Sequence, residues 1–227
     1  MKIKQCKQMV KYLEPVCKQG NDTMFKFSDQ GLFVYAMNLA NTCQASATVN
    51  MTCFEGVSQS IEFVLPQMSF NLLLKHMKKC DEIEIQIGDT VILKQDKTRL
   101  SLPIVTNQVN PYKSPNWPTT SSFNITDKEL KSVIDEVKDT DSDLIWFFGE
   151  KGVLSVKNQI DSLVQYEKEI GGCDGKVDNK CTLALLEHMT PKEPLITLVL
   201  GENVPITLQT ETETMSFVGV IAPRVGE

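Results

Sequence analysis

Apolar residues recur at two different periods along this chain, and the switches between them mark its elements. Met9, Tyr12, Leu13 and Val16 share one helical face, because positions i, i+3, i+4 and i+7 stack on a 3.6-residue spiral. The stretch Met24-Phe25-Lys26-Phe27-Ser28-Asp29-Gln30-Gly31-Leu32-Phe33-Val34 then reads as strand, turn, strand. Shifted by 121 positions (Met9 to Leu130), the order repeats. Leu130, Val133, Ile134 and Val137 give the helix face, and Ile145 to Val156 gives the hairpin. Both turns place a polar pair before a glycine, Gly31 or Gly152, the residue that supplies a positive φ without steric cost.

A second pair of segments repeats in the same sense. Leu73-Leu74-Lys75-His76-Met77 matches Leu185-Leu186-Glu187-His188-Met189. Ile83, Ile85 and Ile87 follow the first, and Ile196, Leu198 and Leu200 follow the second. Alternation of period two predicts a strand with one face in a core. Four helices are expected, over 4–18, 71–79, 126–138 and 180–192. Residues 106–120 hold three prolines among polar neighbours and are expected to link two α+β domains, 1–105 and 121–227.

Composition narrows the picture. The 227 residues suit two domains, and 41% hydrophobic residues suffice for real cores. No run of about 18 apolar residues suggests a membrane span. The N-terminal Met1-Lys2-Ile3-Lys4-Gln5 has no apolar signal-peptide core. Seven cysteines without a CxxC pair point to reduced thiols in a cytoplasmic or nuclear setting. The net charge of −6 is unevenly sorted. The four helical windows contain twelve lysines against six acids, leaving 11 basic and 23 acidic residues elsewhere. Lys4, Lys7, Lys11 and Lys18 lie opposite the first apolar face, and Lys128, Lys131 and Lys138 lie opposite the third. Lys75, Lys78, Lys79 and Lys180 extend the bias to the other two. Lysine faces without aromatic neighbours suit sequence-independent contact with the phosphates of a polyanion rather than base reading. Read singly, each is an ordinary solvated helix surface.

No catalytic constellation is expected, and no metal or cofactor. There is no phosphate-cradling glycine loop, and no zinc-ligand spacing among the cysteines. His76 and His188 stand alone, and Asp139-Thr140-Asp141-Ser142-Asp143 lacks the glycine and glutamate of a calcium loop.

The closing Ile221-Ala222-Pro223-Arg224-Val225-Gly226-Glu227, Gly31-Leu32 before Ala36-Met37-Asn38, and Asn203-Val204-Pro205-Ile206 add a further signal. With the opening helix and the repeat, they give the chain an end-to-end resemblance to the proliferating cell nuclear antigen family of DNA sliding clamps. The resemblance implies a duplicated clamp-type α+β fold that forms a ring of three copies, with helices lining a channel and sheets outside. It implies edge-to-edge pairing of residues 98–105 with 162–170 of the next copy, involving Leu100, Leu102, Leu163, Val164 and Tyr166. It implies a pocket for peptides carrying a glutamine and paired aromatics, formed by Met37, Val105, Tyr112, Ala184, Pro205, Ala222 and Pro223. A DNA polymerase, a clamp loader and other DNA enzymes are the implied partners, and the implied role is processivity. Thr42, Gln44 and Val220 depart from the family pattern, as does Pro15, which is expected to end or kink the first helix. A clamp subunit that does not form a homotrimer, or a viral processivity factor acting as monomer or dimer, is the alternative.

Overall fold

The computed structural model describes residues 1–57, 59–95, 97–106, 112, 121–158 and 164–224. The chain divides into two compact units, Met1–Tyr112 with Glu211–Phe217, and Lys113–Thr210 with Val218–Glu227. Apart from Thr106 and Tyr112, the expected linker lies outside the described residues, as does Leu163.

The first unit opens with β1 (Lys2–Ile3), α1 (Cys6–Cys17) and the strands β2 (Asp22–Ser28), β3 (Gly31–Met37), β4 (Cys43–Asn50), β5 (Phe54–Glu55) and β6 (Ile61–Pro66). Helix α2 (Gln67–Met77) and strands β7 (Ile83–Ile87), β8 (Thr90–Gln95) and β9 (Thr98–Pro103) complete it. One sheet has the order β5-β1-β7-β8-β9, and another runs β6-β2-β3-β4. On its other side β4 neighbours β17 (Met215–Ile221), whose residues Met215–Phe217 belong to this unit. The Asn50 N–H also donates to Thr214 O at 2.7 Å.

The second unit repeats this plan. It contains β10 (Ser121–Ile125), α3 (Asp127–Lys138), β11 (Leu144–Glu150), β12 (Val153–Lys157), β13 (Glu167–Gly172) and β14 (Val177–Thr182). Then come α4 (Leu183–Met189), β15 (Ile196–Leu200), β16 (Ile206–Glu211) and the remainder of β17. Its sheet orders are β10-β15-β16-β17 and β13-β12-β11-β14. Strand for strand, β9 is the counterpart of β17, and β13 the counterpart of β4.

The predicted apolar faces form the cores. Met9, Tyr12, Leu13 and Val16 are buried in α1, which packs on α2, β3 and β4. Phe25 meets Phe63 (5.2 Å, stacked) and Phe70 (4.8 Å, edge-on) beneath α2. In the second unit Leu130, Val133, Ile134 and Val137 are buried, as are Ile145, Phe147, Leu154 and Val156 on the strands. Each such side chain contributes about 1.5–3 kcal/mol by leaving water. Thr126 begins α3 with a reciprocal cap. Its hydroxyl accepts from the Glu129 N–H (3.2 Å), and the Glu129 carboxylate accepts from the Thr126 N–H (3.0 Å). A cap of this kind contributes about 1 kcal/mol.

Several boundaries differ from the sequence pattern, each for a physical reason. Helix α1 starts at Cys6 because Ile3 pairs with Phe54 and Ile83 and the Lys4 N–H donates to Cys53 O (2.8 Å). It runs through Pro15 to Cys17, so the proline does not end it. Helix α2 starts earlier, after Pro66, because Phe70 and Leu74 extend the buried stripe. Helix α4 is shorter than the expected 180–192, because residues 177–182 pair with β11 as strand β14. The two hairpins also differ. Gly152 lies inside its turn with φ 84 after Lys151 at φ 56, whereas Gly31 (φ 129) is the first residue of β3. A Cβ on Gly31 would overlap the Val49 carbonyl oxygen.

Candidate nucleic-acid interface and assembly edges

In the first unit the lysines lie on the helix surfaces away from the strands. Lys7, Lys11 and Lys75 are exposed, Lys18 and Lys78 stand at the C-caps of α1 and α2, and Lys79 follows. Lysine at a helix C-terminus complements the helix dipole. Lys7 pairs with Asp81 and Lys78 with Glu14, both at 3.3 Å. Among the described residues Lys18, Lys75 and Lys79 pair with no carboxylate. Lys4 was expected on this face but precedes the helix, and its ammonium pairs with Glu55 on β5.

In the second unit Lys128 and Lys131 project from α3 without a carboxylate partner among the described residues. Lys138 reaches Glu187 of α4 at 2.6 Å. Lys180 differs from the expected helix position, because it sits on β14. Val177, Asn179 and Cys181 face the core there, so Lys180 leaves from the opposite face and caps the Trp146 ring at 4.7 Å. Trp146 Nε1 donates to Asp178 (2.8 Å), and Lys157 lies over Phe148 (4.5 Å). This aromatic and lysine cluster on the outer sheet face has no signature in the sequence, because its members come from three strands.

Strands β9 and β13 each end a sheet. On β9, Leu100 is half-buried, but Leu102 is buried against the unit's own core opposite Val91. Leu102 therefore stands inside rather than at the expected edge surface. Lys97 and Arg99 are exposed and have no carboxylate partner among the described residues, and Glu169 on β13 is exposed with no lysine or arginine partner among them. Val164 is exposed and precedes β13. Buried Asn158 holds the bend there, donating from Nδ2 to Val164 O (2.5 Å) and accepting from the Tyr166 N–H (3.0 Å).

Two groups, Lys168 on β13 and Tyr166 just before it, fasten that strand to α3 through Glu136, and Ser132 on the helix itself adds a third bond. The Glu136 carboxylate accepts from Lys168 (2.7 Å), Ser132 (2.7 Å) and the Tyr166 hydroxyl (2.9 Å). These hydrogen bonds, Lys168 first, pull its pKa from 4.5 to about 2. Burial and the Glu136 carboxylate raise the Tyr166 phenol well above its usual value. Alongside lies a groove of about 420 Å³ lined by Phe123, Ile125, Val133 and Ile170, with Lys128 and Glu169 among its polar members.

The residues expected to take up a peptide sit as follows. In the first unit Met37 ends β3 half-buried, opposite Gln44. Val105 is half-buried and bridges to Val64, its N–H donating to Val64 O at 3.0 Å. Tyr112 does not stand open. Its ring packs edge-on against Phe33 and Tyr35, both at 5.2 Å, and burial pushes the Tyr35 phenol up to about 12. In the second unit Ala184 is exposed on α4, and Pro205, Ala222 and Pro223 are half-buried. The Arg224 N–H donates to Lys180 O at 2.8 Å and fixes the course of that tail. His76 is half-buried and His188 exposed, both on helix surfaces. Among the described residues no three His, Cys, Asp or Glu side chains are grouped to hold a metal ion. No helix among them is long and apolar enough to cross a membrane.

No family model and no curated protein matches the chain by sequence. Solved structures match it over its full length. An A. fulgidus PCNA, solved with the C-terminal region of FEN-1 bound, superposes with a TM-score of 0.85 at 15% identity, covering 100% of this chain and 99% of its own. The Thermococcus kodakaraensis PCNA gives 0.84 at 17% identity, covering 99% of each chain. A chain of the PCNA2-PCNA3 complex from Sulfolobus tokodaii gives 0.81 at 16% identity, covering 98% of each. The duplicated architecture is therefore that of a DNA clamp. In particular, it is the fold of the proliferating cell nuclear antigens.

The Glu136 contacts make an acid-dependent contribution to stability. A carboxylate whose folded pKa is depressed stabilises the fold above its unfolded pKa, and loses that effect as pH falls through the folded value. For Glu136 the window runs from 4.5 down to about 2. Glu136→Gln is expected to be less stable than the parent at pH 7, with the difference shrinking towards pH 3. Denaturant unfolding at the two pH values measures this, and a constant difference would dissociate Glu136 from the acid response.

Proposed function

We propose that this chain is a non-enzymatic sliding clamp, three copies of which close head to tail around duplex DNA. The observation that carries the reading is topological. Strand β17 neighbours β4 within the chain, while their counterparts β9 and β13 end their sheets. Each copy thus offers two edges of the kinds already seen to join, and a heterologous contact with the right rotation closes into a ring. Charge supports the pairing, since Lys97 and Arg99 sit on or beside one edge and Glu169 on the other. Light scattering tests it. The parent is expected to show the mass of three chains. Arg99→Glu and Glu169→Arg are each expected to weaken assembly roughly tenfold or more, and the double reversal to restore it. Parent-like assembly in both single variants would place the joint elsewhere.

DNA is held by lysine contact with phosphates, without base reading. Lys75, Lys128 and Lys131 carry this best, because none has a carboxylate partner among the described residues that would be orphaned by its removal. Their joint replacement by glutamate is expected to shorten retention on closed circular DNA equally for all sequences, and to flatten its salt dependence. Loss confined to one DNA sequence would count against the reading.

The clamp tethers polymerase and other DNA enzymes through their peptides, and so raises their local concentration. The A. fulgidus relative was solved with a FEN-1 segment bound, which supports peptide docking by this fold, and Met37 at the end of β3 is the residue proposed to receive the peptide. Met37→Asp is expected to leave three-chain assembly intact while abolishing binding of a peptide with a glutamine and paired aromatics. Calorimetry beside a sizing assay measures both, and parent-like affinity would exclude Met37 from the site.

A further inference from the structure

Helix α1 begins, and the chain leaving α2 passes, at one place. The Cys6 N–H donates to Asp81 O at 3.0 Å, and Lys7 Nζ lies 3.3 Å from Asp81 Oδ1. These ties set Cys6, the first residue of α1, beside Cys80, which follows α2. Cys80, the residue before Asp81, lies close enough to help raise the Cys6 thiol's pKa, and neither cysteine is in a disulfide. Their surroundings differ. Cys6 is fully buried with its Sγ directed at Ile3 O (3.6 Å), whereas Cys80 is half-buried with its Sγ directed at His76 O (3.5 Å). By contrast, the Cys17, Cys43 and Cys53 thiols donate to the side-chain amide oxygens of Asn71, Gln19 and Gln5.

We propose that Cys6 and Cys80 form a dithiol–disulfide couple, oxidised by a low-molecular-weight disulfide such as oxidised glutathione. The pairing of an accessible thiol with a buried neighbour matches the division into attacking and resolving cysteines. Burial pushes the Cys6 thiol up to about 12, so it stays protonated and reacts second. Cys80, as thiolate, attacks one sulfur of oxidised glutathione. That S–S bond breaks, and the departing glutathione takes up the proton Cys80 gave away. Cys6 then loses its proton as its sulfur attacks the Cys80 sulfur, expelling the second glutathione as a thiol. Two protein thiols are oxidised to one disulfide, and one glutathione disulfide is reduced to two thiols. The new bond pins the start of α1 to the end of α2 and restricts the unfolded chain between residues 6 and 80. Lys7, Lys11, Lys75 and Lys78 ride on that helix pair, so the consequence for DNA rests on the clamp reading. The chemistry does not.

The test is mass spectrometry of the folded full chain incubated with oxidised glutathione. The expected product has lost two hydrogens, yields a peptide linking Cys6 to Cys80 on digestion, and unfolds at a higher temperature. Dithiothreitol is expected to reverse all three changes. Cys6→Ser, or Cys6→Ala if the serine disturbs the core, is expected to accumulate a stable glutathione adduct on Cys80. Cys80→Ser is expected to give neither product. A parent chain that keeps glutathione on Cys80, stays unmodified, or links another pair would overturn the proposal. Because the readout needs neither ring nor DNA, its failure is distinct from failure of the clamp reading.

Discussion

Backbone hydrogen bonding at the ends of a sheet is the constraint on which the rest of this structure depends. Every strand has two sides, and a buried N–H or C=O without a partner costs about 1–3 kcal/mol. The chain meets this demand along β4 by placing β17 against it, and along β1 by adding the short β5. At β9 and β13 the demand is left to solvent or to another chain. Exposed charge at both places, Arg99 on one and Glu167 with Glu169 on the other, discourages promiscuous pairing while permitting a complementary one.

Helix packing follows from the same plan. Each unit covers the inner face of its strands with two helices, and the helices need only one apolar face to do so. The other face is free to carry charge; in the first unit that charge is mainly lysine, whereas α3 and α4 carry three lysines against five acids. An acidic chain thus still presents a lysine-rich surface along its first helix pair, and the field near a surface depends on local distribution more than on the total.

Much of this was legible in the sequence, because apolar spacing is what forms the cores. The faces of α1 and α3, the two hairpins and the alternation in β7 and β15 were all readable. What escaped depended on contacts distant in sequence. The start of α4 was placed too early because a buried polar residue interrupts the alternation of β14. Asn179 is fully buried there, giving its Nδ2 hydrogen to Val204 O (2.5 Å) and accepting from the Gly201 N–H (2.7 Å). Lys180 consequently moved from a helix to a sheet face. The hold of Glu136 on Tyr166 and Lys168, and the meeting of Cys6 with Cys80, join residues whose proximity no local pattern encodes. Tyr112 was assigned to a pocket, yet its ring lies on Phe33 and Tyr35, since an aromatic side chain buries more area against two rings than against open solvent.

The two counterpart strands β4 and β13 differ in a way that bears on permanence. Most of β4 is buried, without a break from Cys43 to Ala47, whereas β13 reads Glu-Lys-Glu-Ile-Gly-Gly and is largely accessible. A dry joint within one polypeptide is held by covalent connectivity and never has to come apart. A wet, charged joint between separate molecules obeys mass action and ionic strength. In the assembly proposed above, the same architectural seam would recur in two grades, one welded and one latched. Any event that threads the ring onto a closed duplex would then part the latched seam first.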